Sequence, residues 1–347
     1  MNISCRRAFT LAEFLIMVTV IVILIGILLP AIGHRGRHGG PNVYTLANLR
    51  SLNTGAANYA GDQDDQIFAY TWIDDGSYSS IANPNPPYPR MNPSGQAQNI
   101  IQRGTGRIKG HGKILKAPSQ LLYLRYSHQV LLDYLTDRQP EPIAASPFDK
   151  NLIGWQENPL GYLDAKSDVP YWQGMPKKAG YDMDPMWTET AVKQLWPFGS
   201  SYQVVPHAWV DDENPQYTPS ADSPHHMVKG DSDELLGGRK MTEVKFPSQK
   251  VFMYEEFDRF SSKKGIYAAY PEAKINMAFF DGSVRQELVG DANSAFDEGN
   301  PDGVWEQRYV PLDTFPVPMG GLGELTKLDL RFRWTKGGLG GVDFGGE

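Results

Sequence analysis

Residues 6–32 read RRAFTLAEFLIMVTVIVILIGILLPAI. From Phe14 to Ile32 no side chain is charged, and only Thr19, Gly26 and Pro30 interrupt the apolar run. At about 1.5 Å per residue, a helix of this length nearly matches the roughly 30 Å hydrocarbon thickness of a bilayer. The stretch therefore predicts a transmembrane helix over residues 9–32 rather than a buried core helix. Pro30 would clash with the carbonyl of Gly26 one turn earlier, which predicts a kink. Arg6 and Arg7 precede the run and Arg35 and Arg37 follow it, so charge bias does not orient it. Glu13 is the residue out of place. A carboxylate at the bilayer centre costs about 2.5–3.5 kcal/mol on insertion scales, and less near the edge. Either Glu13 reaches back to the headgroups, or a positive charge meets it within the membrane. Cutting the chain between Ala8 and Phe9 creates such a charge, a new α-amino group close to the acid.

The pattern of a small residue, Phe, Thr, Leu, any residue and Glu, then an apolar run ending Leu-Leu-Pro-Ala, resembles the signal of type IV prepilins and type II secretion pseudopilins. The resemblance implies that a membrane-embedded prepilin peptidase removes a leader, residues 1–8, at Ala8 and N-methylates Phe9. It assigns Glu13 and Pro30 to assembly: Glu13 of one subunit pairs with the methylated amino group of its neighbour, and Pro30 kinks the helix. The implied partners are the peptidase, other pilin or pseudopilin subunits, the inner-membrane assembly platform and the lipid bilayer. The implied location is the cytoplasmic (inner) membrane, single-pass, with the head on the periplasmic side. Such signals usually carry Gly where Ala8 stands; a small residue is kept. "RRAFTL" also resembles a twin-arginine export signal, and the run would equally serve as an uncleaved signal anchor. Both leave the cost of Glu13 without an explanation.

Beyond the run, "GHRGRHGGPN" (33–42) crowds its glycines around His34 and His38 and reads as a glycine-rich neck. The histidines, four apart, read as solvated rather than as metal ligands. From residue 43 a helical period returns, with Val43, Leu46, Leu49, Leu52, Ala56 and Tyr59 on one face and Gly61 as a stop. "LANLRSLNTGAANYAGDQDDQ" resembles a segment of a large pseudopilin-like family marked by a His, nine residues and then Asp-Gly. In that register Asp281-Gly282 supplies the Asp-Gly, but Pro271 stands at the histidine position. "SPFDK" stands where the family shows a Cys-Pro-x-Asp turn, with Ser146 for the cysteine. Asp62, Asp64 and Asp65 lack the Gly and the distant Glu of an EF-hand loop and read as a solvated turn.

The prolines of residues 83–99 predict a surface loop. "SHQVLLDYLTD" reads as a helix with Val130, Leu131, Tyr134 and Leu135 inward. Strand signals fall at 201–205, 250–256, 274–280, 283–288 and 328–334. Asp281-Gly282 joins two of these as a tight hairpin. The tail "WTKGGLGGVDFGGE" is glycine-rich and predicts a loop over the head or a frayed end.

The chain has 347 residues and a formal net charge of -7, without basic blocks, which excludes nucleic acid as the main partner. Its one cysteine, Cys5, lies in the leader, so a processed head has no thiol for a disulfide, a zinc site or a nucleophile. "GRIKGHGKI" misses the P-loop spacing at Arg107 and Ile114, and HExxH, GxSxG, GxGxxG and CxxC are absent. His225-His226 point opposite ways on a strand. Asp211-Asp212 and Glu255-Glu256 read as solvated surface acids rather than glycosidase carboxylates. The aromatic residues, which invite a glycan-binding reading, are expected mostly in the core.

These readings converge on an α+β fold: a long N-terminal transmembrane helix, the neck 33–42, and a pilin-like extracytoplasmic head over 43–347 with an antiparallel sheet. The expected role is structural rather than enzymatic, with no cofactor and no metal. The alternative is a membrane-anchored binding module for a surface glycan or secreted protein.

Overall fold

A computed structural model of the full chain describes residues 40–70, 93–107, 125–164, 192–210, 218–219, 228–229, 237–261, 266–295, 306–309 and 326–345. The chain divides into two units, Met1–Tyr44 and Thr45–Glu347. All the described elements belong to the second unit, apart from the first residues of one helix.

The fold class requires correction. Among the described residues no helix is long and apolar enough to cross a membrane. The longest, α1 (Gly40–Asp62), carries Asn42, Thr45, Asn48, Arg50, Asn53, Asn58 and Asp62 along its length, and these polar groups bar it from lipid. The described residues build a mixed α/β body around an antiparallel sheet, and the predicted 9–32 span lies outside them.

The neck also ends earlier than expected: Gly40, Pro41 and Asn42 already belong to α1. Proline is tolerated in a first helical turn, where its missing N–H has no partner to lose. The inward face of α1 is Thr45, Leu49, Leu52, Asn53, Ala56 and Ala60, so Val43 is exposed rather than core. Proline likewise opens α2 (Pro93–Gly104), which replaces the end of the predicted 83–99 loop; residues 83–92 lie outside the described part.

A 3-10 helix over Ser127–Tyr134 follows, then α3 (Lys150–Gln156), α4 (Pro159–Leu163) and a 3-10 helix over Val192–Phe198. Asp149 caps α3 by accepting from the Leu152 amide, and Asn158 caps α4 by accepting from that of Gly161. Trp155, Tyr162 and Trp196 pack together as a small satellite core under these helices.

The strands are β1 (Tyr202–Val204), β2 (Thr218–Pro219), β3 (Val228–Lys229), β4 (Val251–Glu255), β5 (Phe257–Asp258), β6 (Ile266–Tyr267), β7 (Lys274–Phe279), β8 (Val284–Leu288), β9 (Glu306–Tyr309) and β10 (Thr326–Asp329). The main sheet runs β1-β4-β7-β8, antiparallel throughout; β2-β3, β5-β6 and β9-β10 are separate pairs. β4 is buried along its whole length, and β7 along all but Lys274. Burial on both faces explains why they read as continuous apolar runs instead of alternating ones. α1 covers the sheet: Asn53 Nδ2 donates to Phe279 O at 2.8 Å, fixing the helix to the end of β7.

The last predicted strand, 328–334, is cut short. β10 ends at Asp329, whose Oδ1 accepts from the amides of Ala295 and Arg331, and Arg331–Arg333 turns into a 3-10 helix. The tail lies over the head, as one of the two expectations had it, and through Phe344 it does not fray. Leu339 and Asp343 are fully buried, and the amides of Asp343 and Phe344 donate to Gln249 O.

Candidate functional site

Ala8, Phe9, Glu13 and Pro30 lie outside the described residues, as do His34, His38, Asp211, Asp212, His225 and His226. The remaining candidates are described, and the structure places them in three groups.

Asp281 and Gly282 turn the β7-β8 hairpin. Phe279 pairs with Ser283 through its amide, and Gly282 N returns to Phe279 O at 3.0 Å, so the loop holds Phe280, Asp281 and Gly282. This is one residue longer than a two-residue turn, and only Gly282 takes positive φ (86°). That combination is a type I turn closed by a glycine bulge. Asp281 Oδ1 accepts from the amide (2.8 Å) and hydroxyl (2.6 Å) of Ser283, so its carboxylate is used in shaping the loop. Behind the turn, the Arg285 guanidinium lies 3.4 Å from the centroid of the Phe279 ring. Pro271 contributes backbone instead of a ring nitrogen: its carbonyl accepts from Gly290 N at 2.8 Å.

The second group is a buried polar cluster where "SPFDK" meets the sheet. β4 ends in Glu255 and is followed by Glu256; successive strand residues face opposite ways, so each acid requires its own cation. Arg259 serves Glu255 at 3.7 Å, and Arg125 pairs closely with Glu256. Glu255 and Glu256 are only 3% and 2% exposed, which corrects their reading as solvated acids. Ser146 Oγ donates to Glu255 Oε1 at 2.7 Å, and Asn276 Nδ2 donates to Oε2 at 2.8 Å. Asp149 Oδ2 accepts from Arg259 Nη2 (3.0 Å) and Ser201 Oγ (2.9 Å), while its Oδ1 caps α3.

All four oxygens of Glu255 and Asp149 are thus engaged, and the arrangement locks the 146–149 turn to β1 and β4. Burial pushes Glu255 above the ordinary carboxylate range against the pull of Arg259, Ser146 and Asn276. Burial also raises Asp149, but Arg259 and the Leu152 amide outweigh it and leave its carboxyl below the usual value. The Ser146 hydroxyl serves this lock as a donor. The sequence reading missed Arg125, Arg259 and Asn276. The available signal was the pair of adjacent acids inside an otherwise apolar strand.

The third group is the acidic turn. Asp62 Oδ2 accepts from the Tyr134 hydroxyl at 3.0 Å, and Asp65 Oδ2 accepts from Thr242 N at 3.0 Å. Asp64 lies 3.5 Å from Lys240 Nζ. Asp64 and Asp65 both take positive φ; Asp62 and Asp64 stay exposed, as expected of a solvated turn, while the turn also touches residues 240–242. Among the described residues no group of three His, Cys, Asp or Glu side chains is placed to hold a metal ion. The described tryptophans, Trp155, Trp196, Trp209 and Trp334, are all buried and offer no stacking platform for a sugar.

No family model matches the chain, and neither a curated protein nor a solved structure matches it.

Proposed function

We propose that this chain is a structural, pseudopilin-like subunit of a short filament in a type II secretion or type IV pilus-like machine. The observation that carries the reading is the register of Ala8, Phe9 and Glu13 before an uncharged run ending at Pro30. Prepilin peptidase cuts between Ala8 and Phe9 and methylates the new amino group. Subunits then associate through their N-terminal segments, with Glu13 of one paired to the Phe9 amine of the next. An ion pair inside lipid is favourable only with both partners present, so assembly is coupled to processing. The segment holds the protein at the inner membrane with its head on the extracytoplasmic side, where the assembly platform and sister subunits meet it. A non-enzymatic role is supported by the polar cluster around Glu255 and Asp149, whose carboxylates are bound to partners and buried.

Mass spectrometry of the mature protein tests the processing: the expected N-terminus is N-methyl-Phe9. An intact Met1 would instead mark a plain anchor, and a terminus near His34 an export signal. The pairing is tested by Glu13→Val, which is expected to leave cleavage intact and to abolish co-purification with sister subunits. Normal assembly of that variant would sink the pairing.

A further inference from the structure

We propose that the side chains of Lys250 and Asp343 are joined by an intramolecular amide bond, formed by the folded chain without an external reagent. Lys250 immediately precedes β4, and Asp343 lies in the C-terminal tail, 93 residues away. Both side chains are completely buried, and Lys250 Nζ lies 3.0 Å from Asp343 Oδ1. Two further groups complete the arrangement. Lys250 Nζ donates to Thr335 Oγ1 at 2.7 Å, and the Thr335 hydroxyl donates to Asp343 Oδ1. On the other side of the carboxyl, the Val251 amide donates to Oδ2 at 2.7 Å.

Each contact has a role in amide formation. A buried ion pair carries a large desolvation cost, and moving one proton from the ammonium to the carboxylate removes both charges. Burial pushes the Asp343 carboxyl above its ordinary range, towards the protonated form that this transfer requires. The neutral amine then has a lone pair beside an uncharged carboxylic acid, and the fold holds the two together as a high local concentration. Attack of Nζ on Cγ places the developing negative charge on Oδ2, where the Val251 N–H receives it. Thr335 lies between nucleophile and leaving group: its hydroxyl accepts a proton from Nζ and passes its own to Oδ1. The Nζ–Cγ bond forms, the Cγ–Oδ1 bond breaks, and one water leaves. Nothing is oxidised or reduced. The product fixes the tail covalently to the head of the central sheet, whatever the chain's role in a filament.

Peptide-level mass spectrometry of the full-length wild-type protein tests this directly and needs no variant. The expected result is an intact mass one water below that of the sequence from its observed N-terminus, counted with any N-methyl group found there, and a branched peptide joining Lys250 to Asp343. Full mass, or a water loss with Lys250 and Asp343 in separate linear peptides, would overturn the proposal. Lys250→Arg is expected to lose the branched peptide completely. Thr335→Val, checked for folding by circular dichroism, is expected to lose most of it. A folded Thr335→Val protein as fully cross-linked as wild type would overturn the relay.

Discussion

Burial pushes the His128 imidazole from 6.5 down to about 3, and the folded protein therefore holds this ring neutral. Its Nε2 lies 3.0 Å from Gln129 Nε2, inside the core. The unfolded chain binds a proton here that the folded chain refuses. The contribution is therefore complete above the unfolded value of 6.5 and is lost as the pH falls towards about 3. Unfolding free energy should decline by up to about 1.4 kcal/mol per pH unit below about 6. Between about pH 6 and 5 ordinary carboxylates have not yet titrated, and comparison with a His128 variant separates this ring from the raised carboxyls of Glu255 and Asp343. Denaturant titrations across that interval should show the decline in wild type and a much flatter profile in His128→Gln; equal slopes would remove His128 as the cause. None of this was legible in "SHQVLLDYLTD", where His128 looks like a polar residue on the outer face. The same limit applies to Glu255 and Glu256. Adjacent acids read as surface until Arg125 and Arg259, distant or on the other side of a turn, are known to face them.

At the scale of the element, the β7-β8 hairpin was the most legible feature, because Asp-Gly between two strand-like runs carries its own geometry. The residue count of the loop was less so: the G1-type bulge adds Phe280, and its amide is drawn to Lys250 O at 3.2 Å by the neighbouring segment. The strand expected over 328–334 failed for a related reason. Its alternation of Leu, Asp, Leu, Arg, Phe, Arg and Trp has period two, yet Asp329 uses its side chain to accept from backbone amides and turns the chain, while Arg331 takes positive φ (48°). A side chain competing for backbone donors overrides the pattern. The same logic gives the hairpin's prediction. With Gly282 at φ 86°, a Cβ meets no neighbour, so Gly282→Ala has only backbone strain to absorb. The expected cost is about 1–2 kcal/mol by chemical denaturation, with an unchanged far-ultraviolet spectrum. A neutral result would mean that the turn relaxes to another type.

At the scale of the whole molecule, the glycine-rich tail was the least legible part, because its composition suggests a chain with nothing to bury. Its role comes from three residues. Leu339 fills the core completely, Phe344 packs against Phe279 at 6.0 Å, and Asp343 meets Lys250. Backbone bonds to Gln249 and Asn293 hold the tail in register. The glycines let the chain fit between these anchors: a Cβ at Gly341 would lie 2.1 Å from the Lys336 carbonyl oxygen. Deleting residues 336–347 therefore removes core, not fringe. Losing the Leu339 and Phe344 side chains costs about 1.5–3 kcal/mol each, before any cavity is counted. Stripping Lys250 of its buried partner adds about 3–5 kcal/mol. Together these approach the roughly 5–15 kcal/mol that holds a typical domain folded. The truncated chain is expected to lose its cooperative unfolding transition by calorimetry. Lys250→Met combined with Asp343→Leu, which exchanges the pair for apolar volume, should keep one. If the truncated chain unfolds cooperatively at the wild-type midpoint, the tail lies outside the cooperative unit and its burial contributes nothing to the head's stability.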